Sequence, residues 1–258
     1  MITKILGIAN EVMSLLGPGM PEAFYREIFT KRLNASGLDV KVKPRGVLRH
    51  RDKTADEFIP DFLVEKSVVI NIFHSPSEFN SAQTISTGSA QKFFSATSGL
   101  MLDFSRSEVN HRRLGLSHDP FPTIPYEDIL RANPVEKHDE MRAAMLCRSI
   151  LHIGRAQGLG FGESTYRGLL RVEFDAESLD YEDEPTVPIT IDGVALGDAK
   201  LSHIMSVQRS GALLVTAQQE GIRNSDKAKL HHALKYLKLP WGLIVHFGRR
   251  RFEWQWVK

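Results

Sequence analysis

The stretch GPGMPEAFYR at residues 17–26 returns later in the chain as GLGFGESTYR at residues 158–167. Gly, Glu, Tyr and Arg coincide in the two stretches without a gap. A second pair matches near the end of each half, GLMLDFS at residues 99–105 and GLIVHFG at residues 242–248. Two matches in the same order are hard to obtain by chance, so the sequence predicts a duplicated domain.

Hydrophobic periodicity predicts the same order of helices and strands in both halves. In the first half we expect a helix ending at Gly17, a helix over 22–34, strands over 40–47, 58–64 and 68–73, a helix over 77–96 and a strand over 100–104. In the second half we expect helices over 141–155 and 163–174, strands over 187–191, 194–198 and 212–217, a helix over 226–237 and strands over 243–247 and 252–257.

This order predicts an α/β (α+β) fold with a central mixed β-sheet flanked by helices in each half. We place the first domain at residues 1–116 and the second at residues 141–258. Residues 117–140 are rich in proline and charge and are interpreted as a linker, with one short helix over 126–132. We expect the two halves to pack around a pseudo-twofold axis.

Composition is that of an ordinary globular protein, with 42% hydrophobic and 25% charged residues among 258. A net charge of +2 excludes a strongly cationic protein that coats nucleic acid by charge alone, but it allows a local basic groove. Cys147 is the single cysteine, which excludes an internal disulfide and a cysteine-based zinc site. Without a signal-peptide core or a bilayer-length apolar run, we expect a cytoplasmic protein with no membrane partner.

The spacing Gly-x-x-Glu-x-x-Tyr resembles the bacterial GxxExxY proteins of the PD-(D/E)XK nuclease superfamily. The motif stands at Gly19, Glu22 and Tyr25 and again at Gly160, Glu163 and Tyr166. Pro60-Asp61 and the four residues after it resemble the family's acidic strand, and residues 96–105 and 236–248 resemble its final segment. The resemblance implies two tandem domains of the restriction-endonuclease-like fold.

The same resemblance implies a site in which an Asp and a Glu-x-Lys on the next strand hold a divalent cation, often with a helix Glu. Mg²⁺ requires hard oxygen ligands, and the lysine neutralises developing charge. The corresponding positions in this chain are Glu22, Asp61, Asn71 and Phe73 in the first half and Glu163, Asp198, Thr216 and Gln218 in the second.

Glu-x-Lys is missing from both halves. Asn71 and Thr216 each offer one neutral oxygen, and neither Phe73 nor Gln218 carries an ammonium group. The resemblance therefore predicts a catalytically inactive pair of nuclease-like domains, with no cofactor and no bound metal. Asp61 and Asp198 are the candidates for any residual metal site.

Other interpretations stay open at this point. A true Mg²⁺-dependent nuclease would need relocated side chains, for which the candidates are Glu65, Lys66 and Glu78 in the first half and Glu220 and Lys227 in the second. Asp61, Asn71 and His74 could also converge on a cation. The plainer expectation for the motif is structural, because a helix-start Glu complements the macrodipole and a buried Tyr packs with its hydroxyl hydrogen-bonded.

Two basic clusters are candidates for nucleic-acid binding, since their side chains can contact phosphates. They comprise Lys43, Arg45, Arg49, Arg51 and Lys53 in the first half and Arg249, Arg250 and Arg251 in the second. The alternatives are a solvated face, or a charge-complementary contact with the acidic segment at residues 173–184. We therefore expect a non-cleaving module whose partner is DNA or a protein, and low-salt binding with a steep salt dependence would favour DNA.

Overall fold

The computed structural model describes residues 1–74, 78–115, 120–131, 135–217 and 221–258, so the predicted positions Gln218 and Glu220 lie outside the described residues. The chain divides into two compact units. One comprises Met1–Leu48 and Glu57–Ser117, and the other comprises Arg49–Asp56 and His118–Lys258. Residues 49–56 come from the first half of the sequence but belong to the second unit.

The first half of the chain is built around a five-stranded sheet. Its elements are α1 (Ile2–Leu16), α2 (Glu22–Ala35), β1 (Val40–Val42), β2 (Gly46–His50), β3 (Lys53–Phe58), β4 (Phe62–Val64), β5 (Val68–Phe73), α3 (Ser81–Phe93), β6 (Ser98–Asp103) and β7 (Asn110–Gly115). The sheet order is β1-β4-β5-β6-β7, with β5 and β6 parallel and the other neighbours antiparallel. Strands β2 and β3 form a separate two-stranded sheet.

The centre of this sheet is buried on both faces. β5 reads VVINIF, a continuous run of mostly β-branched residues that is typical of a strand covered on both sides. One face packs against α1 and α2 in a core that includes Ile5, Phe29 and Ile70. The other face is covered by α3, whose start is fixed by a capping box between Asn80 and Gln83.

The second half repeats this arrangement. Its elements are α4 (Tyr126–Leu130), α5 (Glu140–Gln157), α6 (Glu163–Ala176), β8 (Tyr181–Asp183), β9 (Thr186–Ile191), β10 (Val194–Lys200), β11 (Ile204–Val207), β12 (Gly211–Thr216), α7 (Asn224–Leu237), β13 (Trp241–Phe247) and β14 (Phe252–Val257). The sheet order is β14-β13-β12-β11-β8, with β12 and β13 parallel, and β9 and β10 form a separate sheet. The predicted fold class, two α+β halves each with a central mixed sheet flanked by helices, is confirmed.

Some predicted boundaries are wrong. The predicted strand 40–47 is two strands, β1 and β2, with Pro44 between them. The predicted strand 58–64 joins the end of β3 to β4, although residues 59–61 separate these strands. The short strands β7, β8 and β11 were not predicted. No helix in the described part of the chain is both long and apolar enough to span a membrane.

Candidate functional site

The repeated motif forms a glycine loop that is held by a buried tyrosine. In the first unit, the Tyr25 hydroxyl donates to the carbonyl oxygen of Gly17 over 2.6 Å and accepts a hydrogen bond from the Met20 amide at 3.1 Å. Gly17 and Gly19 have φ values of 68° and 86°, a region that favours glycine. The Tyr25 ring stacks on Phe104 with a centroid distance of 5.0 Å.

The second unit contains the same contacts. The Tyr166 hydroxyl donates to the Gly158 carbonyl oxygen over 2.7 Å and accepts from the Phe161 amide at 3.3 Å. Its ring stacks on Phe247 at 4.1 Å. The structural interpretation of Tyr25 and Tyr166 is therefore confirmed, and the motif fixes the entry into α2 in the first half and into α6 in the second.

Arg26, one residue after the motif, lies at the centre of the candidate site in the first unit. Its Nε donates to Oε1 of Glu22 over 2.7 Å, and its Nη2 donates to the carbonyl oxygen of Ile72 over 3.1 Å. Its Nη1 forms a close ion pair with Oδ1 of Asp61. One guanidinium group thus binds oxygens from α2, from the residue before β4 and from β5.

Asp61 is almost fully buried and satisfied on both carboxylate oxygens. Besides the contact of Oδ1 with Arg26, Oδ2 accepts a hydrogen bond from the Ile72 amide at 2.8 Å. The Lys43 ammonium lies 4.0 Å from Oδ1 and is itself exposed. Two cations therefore already neutralise this carboxylate from within the chain.

Asn71 is held by hydrogen bonds at both ends of its amide. Its Oδ1 accepts from the Asp61 amide at 3.2 Å, and its Nδ2 donates to the Thr87 hydroxyl over 2.9 Å. The amide oxygen is therefore engaged with backbone. Two residues further along β5, Phe73 packs edge-on against Phe79 at 6.0 Å and supplies an apolar surface. His74 stacks against the ring of Tyr25 at 6.3 Å.

The register of the second sheet identifies its equivalent positions. The first residue of β5, Val68, lies opposite the first residue of its parallel neighbour β6, Ser98. In the second sheet, Gly211 of β12 lies opposite Trp241 of β13 in the same way. Counting from Val68 and Gly211, Leu214 stands where the first unit has Asn71.

The same count places Thr216 at the position of Phe73. The antiparallel pair of β11 and β12 likewise places Ile204 at the position of Asp61. These equivalences correct the assignment of Thr216 and Gln218 to the positions of Asn71 and Phe73.

Asp198 does not occupy the strand-acid position. It lies on β10, opposite Pro188 in the separate two-stranded sheet, and it is exposed. The residue that replaces the strand acid is Ile204, which is buried in the core with Leu214 and Leu230 of α7. The second unit thus has an apolar contact where the first has hydrogen-bonded polar side chains.

Arg167, which repeats Arg26, binds a different pair of carboxylates. It forms a close ion pair with Asp183 and a second one with Glu184 at 3.0 Å. The Lys200 ammonium lies 2.6 Å from the other oxygen of Glu184. The hydrogen bond from Lys200, supported by others, holds the pKa of Glu184 down at about 2.

Glu163, at the start of α6, forms an ion pair with His203. Burial raises the pKa of Glu163 above its usual range, against the opposing effect of His203. Thr216, at the end of β12, lies 3.0 Å from Nδ1 of His246 through its hydroxyl. Burial lowers the pKa of His246, so this contact is one between neutral groups near pH 7. Glu163 thus pairs with His203, and Thr216 with His246.

Comparison with known proteins gives one family match. The family model of the PD-(D/E)XK nuclease superfamily matches residues 1–114 and 140–257, which is most of the chain and includes both halves. The chain belongs to the PD-(D/E)XK nuclease superfamily. No curated protein matches the chain. The crystal structure of SSO0001 is similar at 13% identity with a TM-score of 0.26, over 51% of this chain and 82% of SSO0001, and a likeness this weak supports no further inference.

Among the described residues, Glu65 and Lys66, considered for a relocated site in the first half, lie at the other end of β4 from Asp61. Glu65 and Lys66 form the turn after β4, whereas Asp61 precedes that strand. Glu65 instead accepts a hydrogen bond from the Asp39 amide at 2.9 Å. Glu78 is exposed in the segment before α3, and Lys227 lies on α7 in the second half.

Five of the eight predicted nucleic-acid-binding residues are paired with carboxylates of the chain, including Lys43 with Asp61 at 4.0 Å. Arg45 binds Glu57 at 2.5 Å, Arg51 binds Glu173 and Glu177 at 2.8 Å, Lys53 binds Asp175 at 3.2 Å and Arg251 binds Glu253 at 3.0 Å. Arg49 and Arg250 are exposed, and burial together with Arg250 lowers the pKa of Arg249. The pairs of Arg51 and Lys53 involve the acidic segment that the charge-complementary interpretation singled out.

Sequence reasoning gave no role to several residues that organise these sites. Arg26 and Arg167 coincide in the repeat, and this coincidence was the available signal. Glu173 was noticed as part of an acidic segment, but His50 and His152 were not considered. His50 and Glu173 are 123 positions apart in sequence, and no local pattern connects them.

Proposed function

We propose that the chain is a catalytically inactive, tandemly duplicated superfamily member of the GxxExxY type that binds a partner without cutting nucleic acid. The observation that supports this most directly is the position of Arg26. Its guanidinium binds Glu22, Asp61 and the Ile72 carbonyl, an acid–acid–carbonyl set of the hard oxygens that Mg²⁺ would require.

Metal-dependent cleavage would need this pairing to be undone. A divalent cation polarises the phosphate and lowers the pKa of an attacking water, and carboxylates with free oxygens would be needed to hold such a cation in place. In the first unit Asp61 is engaged by Arg26 and by the Ile72 amide. In the second unit Ile204 and Leu214 offer no ligand atom at the equivalent positions.

A protein is the better-supported partner. Arg45, Arg51, Lys53 and Arg251 bind carboxylates of the chain, and Arg51 binds two of them, so contact of these side chains with phosphate would require breaking five ion pairs. The net charge of +2 adds little general attraction for a polyanion.

Nucleic acid is the second candidate partner, and the exposed side chains of Arg49 and Arg250 favour it. An experiment on binding to duplex DNA in low and high salt separates the two partners. The protein-binding proposal expects no binding at low salt. Binding that falls steeply with salt, and that weakens in Arg250→Ala, would assign the partner to nucleic acid.

The absence of cleavage is tested separately by titrating Mg²⁺ and Mn²⁺ into the protein by calorimetry and by incubating it with plasmid DNA. We expect no metal binding that depends on Asp61 or Asp198, and no nicking. Asp61→Ala and Asp198→Ala are the matched variants. Metal binding or nicking that disappears in either variant would contradict the proposal and support a metal-dependent nuclease.

A further inference from the structure

We propose that His50, His152 and Glu173 form a binding site for Zn²⁺ or a similar transition-metal ion. All three residues belong to the second unit, with His50 on β2, His152 on α5 and Glu173 on α6. One potential ligand atom from each lies within 4.8 Å of the other two. This cluster lies outside the Arg26 and Arg167 sites and does not depend on the proposed function.

The donor set determines the class of metal. Two imidazole nitrogens and one carboxylate oxygen suit Zn²⁺ and related ions, whereas Mg²⁺ requires oxygen ligands. Three protein ligands leave at least one coordination position for water or an exogenous group, as in reactive zinc sites.

The buried members of the cluster are already arranged around one another. His50 and Glu173 are 7% and 2% exposed, and His50 Nε2 lies 2.6 Å from Glu173 Oε2. The metal would take the place of the proton that these two atoms share, with a small separation of the side chains. The Glu173 carboxylate is buried and hydrogen-bonded to His50 and Arg51, so its position is fixed before a metal binds.

Arg51 donates hydrogen bonds to both oxygens of the Glu173 carboxylate. Its Nη2 donates to Glu173 Oε1 over 2.9 Å, and its Nε donates to Oε2 over 2.8 Å. Although burial acts to raise it, the hydrogen bonds from Arg51 and His50 leave the pKa of Glu173 lowered. A metal on Oε2 would displace the Nε donor of Arg51 from that oxygen, and the Nη2 contact with Oε1 would remain as an outer-shell interaction that orients the ligand.

The site is reachable from solvent. His152 is exposed, and His152, Glu173 and Arg51 line a cleft of about 1100 Å³ between α4, α5 and α6. The cleft also contains the guanidinium of Arg148, which lies over the Tyr126 ring at 4.5 Å. An ion can therefore enter from the cleft, and its free position would face water there.

The test is zinc binding by the full chain. Protein is equilibrated with Zn²⁺, freed of unbound ion and assayed for bound zinc and affinity, with His152→Ala as the key variant because its side chain is exposed. We expect one zinc per chain and an affinity at least about 10-fold weaker in His152→Ala. His232→Ala, an exposed histidine on α7, is the matched control and should bind zinc like the wild type.

Two further measurements keep the outcome decisive. Asp61→Ala should retain zinc binding, so failure of this site and failure of the proposed function are distinguishable. The visible spectrum of Co²⁺ added to the wild type should become that of a four- or five-coordinate ion. Absence of bound zinc in the wild type, equal affinity in His152→Ala, or a Co²⁺ spectrum unchanged from the free ion would overturn the proposal.

Discussion

Arg26 forms an ion pair with Asp61, which is 35 positions away in the sequence. The same guanidinium binds the carbonyl oxygen of Ile72 on β5. A positive side chain thus lies among oxygens of the kind that coordinate hard divalent cations. Unlike a metal ion, a guanidinium cannot activate water for attack on a phosphodiester, because it is a hydrogen-bond donor with no coordination site.

Removing this guanidinium should expose a weak metal site. In Arg26→Gln, Glu22 and Asp61 lose their shared partner, so the free energy of unfolding should fall by roughly 1–3 kcal/mol. Millimolar Mn²⁺ should restore part of this loss, because it neutralises the freed carboxylates and binds the native state alone. Thermal unfolding with and without Mn²⁺ measures the effect.

Arg32→Gln is the control for this experiment. Arg32 lies on the same helix and is exposed, so the same chemical change should alter neither stability nor the response to Mn²⁺. A response to Mn²⁺ of equal size in the wild type and in Arg26→Gln would show that Arg26 does not occlude the site.

The tyrosine hydroxyls of the two motifs should make equal contributions to stability. Tyr25→Phe and Tyr166→Phe each remove the hydrogen bonds to a glycine carbonyl and to a loop amide while keeping the ring. We expect each to cost about 1–2 kcal/mol, because a buried carbonyl loses its donor. Urea unfolding measures the loss, and a cost in one variant alone would contradict the equivalence of the two loops.

The duplicated fold could be predicted from sequence because its signals are local. The glycine loops, the helices and the continuous apolar strand at residues 68–73 each follow from residues close together in the chain. The short strands were missed for physical reasons. β11 is four buried residues without alternation, and β7 reads NHRRLG, which looks like a polar loop because it is an exposed edge strand.

Of the positions that the resemblance assigns, Asp61 and Asn71 are in contact in the first half, whereas Asp198 of the second half lies on β10 in a separate sheet. The assignment of Asp61 follows from the resemblance of Pro60-Asp61 and the strand after it to the family's acidic strand. Asp198 was chosen for its chemistry, but the pairing of β11 with β12 decides the position and places Ile204 there. The register of β11 depends on contacts between segments that are distant in the chain. The hairpin β9–β10 lies between β8 and β11, and its length hides which residue pairs with which when only the sequence is known.

Gly168 of α6 should tolerate no side chain, because a Cβ there would lie 2.0 Å from the carbonyl oxygen of Ala55 in the same unit. Gly168→Ala should therefore destabilise the protein by about 2 kcal/mol or more, since backbone must move to relieve the overlap. Chemical denaturation measures this change.

Gly7→Ala supplies the matched control. Gly7 lies in α1, and a Cβ at this position would have no neighbouring atom within 4 Å. Alanine should therefore stabilise the protein by up to about 1 kcal/mol through its higher helix propensity. A Gly168→Ala variant as stable as the wild type would show that residues 49–56 do not pack on α6 as described.

The carboxylate of Glu184 should make stability depend on acid pH. Its pKa is about 2 in the folded chain against a usual 4.5, so the unfolded state binds the proton more readily. The stabilisation is therefore complete above about pH 4.5 and is lost as the pH falls toward 2. Since Glu184 is partly solvated, we expect a contribution of about 1 kcal/mol.

Glu184→Gln should remove this dependence. The stability difference between wild type and variant, measured by urea unfolding, should be largest near pH 6 and should shrink steadily below pH 4.5. Glu182→Gln is the control, because Glu182 lies two residues away on β8 and is exposed. A difference for Glu184→Gln that stays constant from pH 6 to pH 2.5 would mean that Arg167 and Lys200 do not favour the ionised carboxylate, and that their contacts with Glu184 stabilise the fold by packing alone.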